Sequence, residues 1–371
     1  VKNVLPFTVG ALLLGPLVFP AQAAFTSLYV FGDGVSTTTN NPLAGTNYYG
    51  LRRSNGRVWV EVLAQRQGLG ANSITNVNWS YSTNNWSYFG QYSSNLVVNL
   101  TNFPVPSDAN TALFVVWVNN ADFVDHMGSI FPSTNIVTWT NAINQSLNNH
   151  FKAITNLYYA KGARTLIMPN AVDITQIPQY NLITSSADKS FIRQRIIDFN
   201  AAFATTLINQ IQTNCPNITI YVPDMFTLLN NILAHAADYG LTNALYLGQS
   251  IAALEDPLLR NKSTNGPGTN YIFWTTSDPT AKLHARVADV VQQLISPVQI
   301  SKITSLNSSN RLDLANIPIG RNGFVEGSTN FTSWTTLANI TSTNATQPAF
   351  VPASDPLQFY RLRFPFAWTW P

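Results

Sequence analysis

Residues 27–36, Ser-Leu-Tyr-Val-Phe-Gly-Asp-Gly-Val-Ser, decide how this chain folds. Aromatic and β-branched side chains fill the run up to Phe31 and stop at Gly32-Asp33-Gly34, the pattern of a buried strand entering a tight turn. Similar runs recur at 112–118 (ALFVVWV), 164–168 (RTLIM) and 218–222 (ITIYV). Between them, helical spacing of apolar residues predicts helices over 58–67, 137–161, 190–213, 225–235 and 280–294. Strands that read as continuous apolar runs and alternate with helices imply a parallel sheet covered on both faces, an α/β architecture. Functional residues in such folds collect at the carboxyl ends of the strands.

Near Pro297 the pattern changes to short β-rich runs, 323–329, 334–341 and 359–364, separated by Gly, Asn and Pro turns. These predict a small sandwich-like β-unit over 297–371, after an α/β unit over 24–296, with few contacts across the junction. At the other end, Lys2 precedes an apolar run over 4–20, and Ala21-Gln22-Ala23 has the form of a cleavage site. The expectation is a signal peptide over 1–23. No later stretch approaches the length of a spanning helix, so no membrane span is expected in the remaining chain, which is expected to be secreted or held in the cell envelope.

Charged residues make up only 10% of the chain, against about 25% in ordinary domains. Twenty Lys and Arg oppose seventeen Asp and Glu, a net +3, with no basic run that would mark a nucleic-acid surface. The only cysteine, Cys215, lies in an Asn-Cys-Pro turn with no basic neighbour to activate it. Four histidines and one cysteine form no ligand spacing, so neither a metal site nor a cofactor is expected. His150 and His235 read as structural, and His126 follows Asp122 by one helical turn.

The segment Phe31-Gly32-Asp33-Gly34-Val35-Ser36, followed by Gly50-Leu51-Arg52-Arg53-Ser54-Asn55-Gly56-Arg57-Val58-Trp59-Val60-Glu61, resembles the opening of the GDSL lipases and esterases, the SGNH hydrolases. Residues 113–122 (LFVVWVNNAD) are similar to their third block. Gly162-Ala163-Arg164 through Asn170 and Asp173, then Phe199-Asn200, Asp224 and Tyr239-Gly240, follow in order, and 273–280 (FWTTSDPT) with His284 resembles the last block. The resemblance spans residues 27–295 and implies a flavodoxin-like three-layer domain built for ester hydrolysis.

In that family a Ser attacks the acyl carbonyl, a His takes its proton, an Asp three residues earlier orients the His, and backbone and Asn donors stabilise the oxyanion. Here the nucleophile position is Gly34, the base Asp278, the orienting acid Thr275 and the oxyanion Asn Ala121; in the same block Asn119 replaces a Gly, and only Gly56 of the oxyanion set is retained. The first expectation is therefore a pseudoenzyme whose cleft, with Asp33, Ser36, Asn119, Asn120 and Asp122, holds an acyl-ester or glycan ligand without turnover. A second is an active ester hydrolase using Ser36 and His284, and a third is a structural or adhesive envelope protein.

Aromatic residues interleaved with Asn and Ser (Trp79, Tyr81, Trp86, Tyr88, Phe89, Tyr92) read either as a loop pinned to the domain or as a sugar-stacking platform. Residues 327–337 and 359–362 resemble a small C-terminal β-module of exported proteins from Verrucomicrobia-like bacteria. That resemblance implies a bacterial exterior, where the Asn-x-Ser/Thr triplets at Asn78, Asn85, Asn217, Asn261, Asn330 and Asn339 stay unglycosylated.

Overall fold

The computed structural model describes residues 25–38, 45–69, 84–353, 358–366 and 368. The expected signal peptide, and Trp79 and Tyr81, lie outside the described residues. Four parallel strands form the central sheet in the order β1 (Leu28–Gly32), β2 (Leu113–Trp117), β3 (Thr165–Ile167), β4 (Thr219–Tyr221). Along the outer edge of β1, an irregular segment completes the pairing: Val30 donates to Asn84, Trp86 to Val30 and Tyr88 to Gly32 through the backbone. That segment carries Phe89 and Gly90 to the carboxyl end of β1.

Helices cover both faces, as the continuous apolar strands require. On one side pack α2 (Ser93–Asn102), α3 (Asn119–Ser129), α4 (Ile136–Lys161), α5 (Ser186–Ala202) and α6 (Ile208–Asn214), around Phe114, Trp139, Leu166, Phe199 and Phe203. On the other, α1 (Trp59–Arg66) and α8 (Ala281–Ile295) bury Trp59, Leu63, Val291 and Ile295 against Val30, Val115 and Ile167. Between α6 and α8 come β4, α7 (Met225–Ala234), and a two-residue ladder of β5 (Leu245–Tyr246) with β6 (Gln249–Ser250). Residues 203–207 join α5 to α6 through a π-helical turn inside the single helix expected from the sequence.

Two three-stranded antiparallel sheets follow. β9 (Asn322–Ser328) lies between β10 (Thr335–Thr341) and β12 (Phe359–Arg363), and β8 (Ser309–Ala315) between β7 (Gln299–Ser305) and β11 (Gln347–Pro352). Their small core holds Leu312, Leu314, Val325, Ile340 and Val351. The contacts that cross the junction are charged and aromatic. Asp289 of α8 receives both Arg321 (2.5 Å) and Arg66 (3.5 Å), and Phe366 stacks on the Arg286 guanidinium at 3.9 Å. Three charges gathered at one half-buried point tie the sandwich to α1 and α8, because separating them would strand a carboxylate or a guanidinium in a poorly hydrated place.

Candidate functional site

The turn after β1 is close-packed. A Cβ at Gly32 would come within 2.7 Å of Ser36 Cβ, so only glycine lets the chain fold back there. Ser36 Oγ accepts a 3.0 Å bond from Trp59 Nε1 and is fully buried. The next loop is fixed from inside by a buried ion pair, Arg52 to Glu61 at 2.6 Å, while Glu61 also accepts the Val58 N–H at the start of α1. Ser54 Oγ bonds the Pro279 carbonyl and Asn55 Oδ1 accepts the Ala281 N–H, stapling this loop to the one that leads into α8. With Arg52 turned inward, its neighbour Arg53 reaches across to Asp278.

Gly34 and Asp278 meet. A Cβ placed on Gly34 would lie 3.5 Å from Asp278 Oδ1, 3.5 Å from Arg53 Cδ and 2.9 Å from the Phe89 ring. The Asp278 carboxylate is held on three sides: Arg53 Nε at 3.0 Å, Thr275 Oγ1 at 2.5 Å and Ser277 Oγ at 3.2 Å. Thr275 Oγ1 in turn accepts the Asp278 N–H at 3.0 Å, and the Trp274 and Thr275 N–H groups both close on the Asp278 carbonyl, giving a tight turn before α8. The Arg53 guanidinium also stacks on Phe89 at 4.0 Å. Positions 34, 278 and 275 therefore form a contiguous row, with no hydroxyl at its first place and no imidazole at its second.

A cleft of about 170 Å³ opens over this row, walled by Phe89, Gly90, Ala121, Val124, Val172 and Ile177. It shares Val35, Asn120, Val172, Ile177 and Ser277 with a second, almost wholly apolar lobe of about 60 Å³ that runs toward Met225, Leu228 and Leu229. Asp33 sits in the floor, with Oδ1 accepting the Val35 N–H at 3.0 Å. Burial, with smaller contributions from the negative charges of Asp278 and Asp122, pushes its carboxyl up to about 7. The polar end of the cleft thus combines an arginine–aspartate pair with a carboxyl that is half protonated at neutral pH.

The other expected site residues fall into two groups. Asn120 and Ala121 line the cleft. Asn119 donates to the Pro169 carbonyl in the segment after β3, and Asp122 accepts the Ser93 N–H at 2.9 Å and the Ser146 hydroxyl at 2.5 Å, which holds α3 against α2 and α4. Gly56 is not among the cleft-lining residues; the glycine beside Gly34 is Gly90. Ser36 and His284, the alternative nucleophile and base, are both buried outside the cleft. Burial lowers the His284 imidazole to about 3, which makes it a weak proton acceptor, and the Ser36 hydroxyl is occupied by Trp59.

His126 packs edge-on to Phe123 and Trp139, and His150 bonds the Ser146 carbonyl, so neither reaches the cleft. Of the aromatic segment, Trp86 is packed on Phe103 and Tyr88 accepts from Asn99, whereas Phe89 and Tyr92 face the cleft. Sequence reasoning missed Arg53 and Gly90. The adjacent pair Arg52-Arg53 was the available signal, since one of two neighbouring arginines on a buried loop must find a partner elsewhere. No group of three or more His, Cys, Asp and Glu placed to hold a metal ion occurs among the described residues.

Among solved structures the chain is similar to the extracellular lipase of Streptomyces rimosus, at 14% identity and a TM-score of 0.40, over 72% of this chain and 99% of that one. It is also similar to phospholipase A1 of Streptomyces albidoflavus, at 12% identity and a TM-score of 0.41, over 73% of this chain and 100% of that one. No family model matches the chain, and no curated protein matches it either.

Proposed function

We propose that this is an exported protein of SGNH-hydrolase type that has lost ester hydrolysis and uses the cleft over Gly34 to hold an acyl-bearing ligand without turning it over. The observation that carries this reading is the row Gly34–Asp278–Thr275. Gly34 has no atom to attack a carbonyl, and the Asp278 carboxylate is engaged by Arg53, Thr275 and Ser277 where a free base would be needed. Losing nucleophile or base costs about 10⁶ in kcat, and a lost oxyanion donor, here Ala121 in place of Asn, about 10²–10³. From a typical kcat near 10 s⁻¹ almost nothing above background is left.

The largely apolar walls favour an acyl chain as the ligand. The test pairs turnover with binding on the purified full chain: p-nitrophenyl octanoate hydrolysis, and displacement of a fluorescent acyl probe by methyl octanoate. Displacement without hydrolysis is expected. Turnover above about 0.1 s⁻¹, well below a typical enzyme yet abolished by Ser36→Ala, would refute the loss of catalysis; absence of displacement would refute acyl binding.

A further inference from the structure

A second recess lies away from the cleft, between the first turns of α8, residues 237–240 and the chain that follows β12. Lys282 and Arg286, four residues apart on α8, both face it. Arg286 lies against two rings, 3.9 Å from the centroid of Phe366 and 5.1 Å from that of Tyr239. With its flat faces taken, only the in-plane N–H edge of the guanidinium is left for polar contact, the edge that recognises oxyanions in a two-pronged way.

That edge has no protein partner. Among the described residues Arg286 makes no hydrogen bond and no ion pair, and its Nε is buried and unsatisfied. The nearby Asp289 forms its ion pairs with Arg321 and Arg66, and its charge reaches Arg286 only through space. Lys282 Nζ touches only the neutral Asn270 Oδ1, at 3.0 Å, and lies 5.6 Å over Trp368. Asp238 also borders the recess but pairs with neither cation. Like charges one helical turn apart repel, and burial together with Arg286 holds the Lys282 ammonium below its ordinary range. Among the described residues neither cation forms an ion pair, which leaves a place for an anion from outside.

We propose that this recess binds a small organic oxyanion, with the Arg286 N–H edge and the Lys282 ammonium on the charged group and the aromatic walls around the carbon skeleton. The recess is open to solvent, offers about 430 Å³ and is walled by Tyr239, Phe366 and Trp368, which suits a ring-sized molecule better than a bare ion. An acidic sugar has the required chemistry, since it joins a carboxylate to a ring whose C–H face packs on aromatic side chains. Because Phe366 and Trp368 follow the sandwich while Lys282 and Arg286 belong to α8, the ligand would also fasten the C-terminal chain to the α/β unit.

Isothermal titration of the full chain with D-glucuronate, D-glucose and sodium sulfate, at constant chloride and pH 7.5, tests this. Saturable binding of glucuronate but not of glucose is expected, weakening as salt rises. Arg286→Gln and Lys282→Gln should each weaken it about tenfold or more, the usual effect of losing one charge-assisted contact. Equal binding of glucose and glucuronate, binding of sulfate alone, or unchanged binding in a folded Lys282→Gln variant would overturn the proposal. Lys282 is the safer variant because its one hydrogen bond is to Asn270, and thermal unfolding of each variant establishes that it is folded.

Discussion

Replacing Asp33 by Asn exchanges a buried ionisable carboxyl for a neutral group of the same shape. In the unfolded chain this carboxyl titrates near its ordinary value of about 3.9, and in the folded protein burial raises it to about 7. Below about pH 4 it is protonated in both states and contributes nothing. Between about pH 4 and 7 the native protein keeps a proton that the unfolded chain has released, so unfolding free energy falls as pH rises. Above about 7 both states are ionised and the full cost is in place. A tenfold difference in proton affinity between the two states corresponds to about 1.4 kcal/mol, so the stability difference between Asp33→Asn and the parent should move by about 3 kcal/mol in favour of the variant between about pH 4.5 and 8.5. The amide oxygen introduced by the substitution can still accept the Val35 N–H, so the turn itself is preserved. Urea unfolding at a series of pH values measures the difference, read on the transition of the α/β unit, whose buried Trp59, Trp117 and Trp274 report by fluorescence. A difference constant to within about 0.5 kcal/mol, the usual scatter of surface substitutions, would refute the reasoning and mean that the floor of the cleft is well hydrated.

Ser36→Ala should leave any residual esterase signal unchanged while lowering stability by about 1–3 kcal/mol, because Trp59 Nε1 loses its acceptor in a dry site; chemical unfolding and an ester assay on the same preparation check both. Gly34→Ser alone should gain no activity, whereas Gly34→Ser, Ala121→Asn, Thr275→Asp and Asp278→His together should yield measurable ester hydrolysis once the exposed Phe89 ring swings aside; a folded quadruple variant with no turnover would mean that the row over Gly34 is not the counterpart of a triad. Asp289→Asn should loosen the junction by releasing Arg66 and Arg321, so limited proteolysis near residues 296–306 should speed up severalfold relative to the parent. Equal cleavage rates would show that Phe366 and its neighbours hold the sandwich without the charges.

The four central strands were legible because each is an unbroken apolar run, and the long helices because their spacing holds for several turns. α2 was not, since SSNLVVNLTN is rich in residues that favour turns and caps; it is helical because Leu96 and Leu100 pack in the core and Asn95 Oδ1 accepts the Tyr92 N–H at its start. β8 was missed although Leu312 and Leu314 alternate inward, because charged and small residues between them dilute the run. At the cleft, positions 34, 275 and 278 could be named only through the resemblance to the GDSL hydrolases. What they do instead could not, because the Arg53 partner arrives from a segment 225 residues away and the orientation of Arg53 depends on Arg52 being drawn to Glu61.

The bond between Arg53 and Asp278 also bears on how such a protein can evolve. Asp278→His by itself would leave a guanidinium only 13% exposed facing an imidazole. Thr275→Asp by itself would press a second carboxylate against the first, and Gly34→Ser by itself would add a hydroxyl with nothing to activate it. Each lone change therefore lowers stability or gains no turnover, so selection for ester hydrolysis has no first step to act on. If the chain has lost ester hydrolysis as proposed, the arrangement works as a ratchet: drift can carry it to further ligands for its cleft, but a return to hydrolysis requires several changes to arrive together.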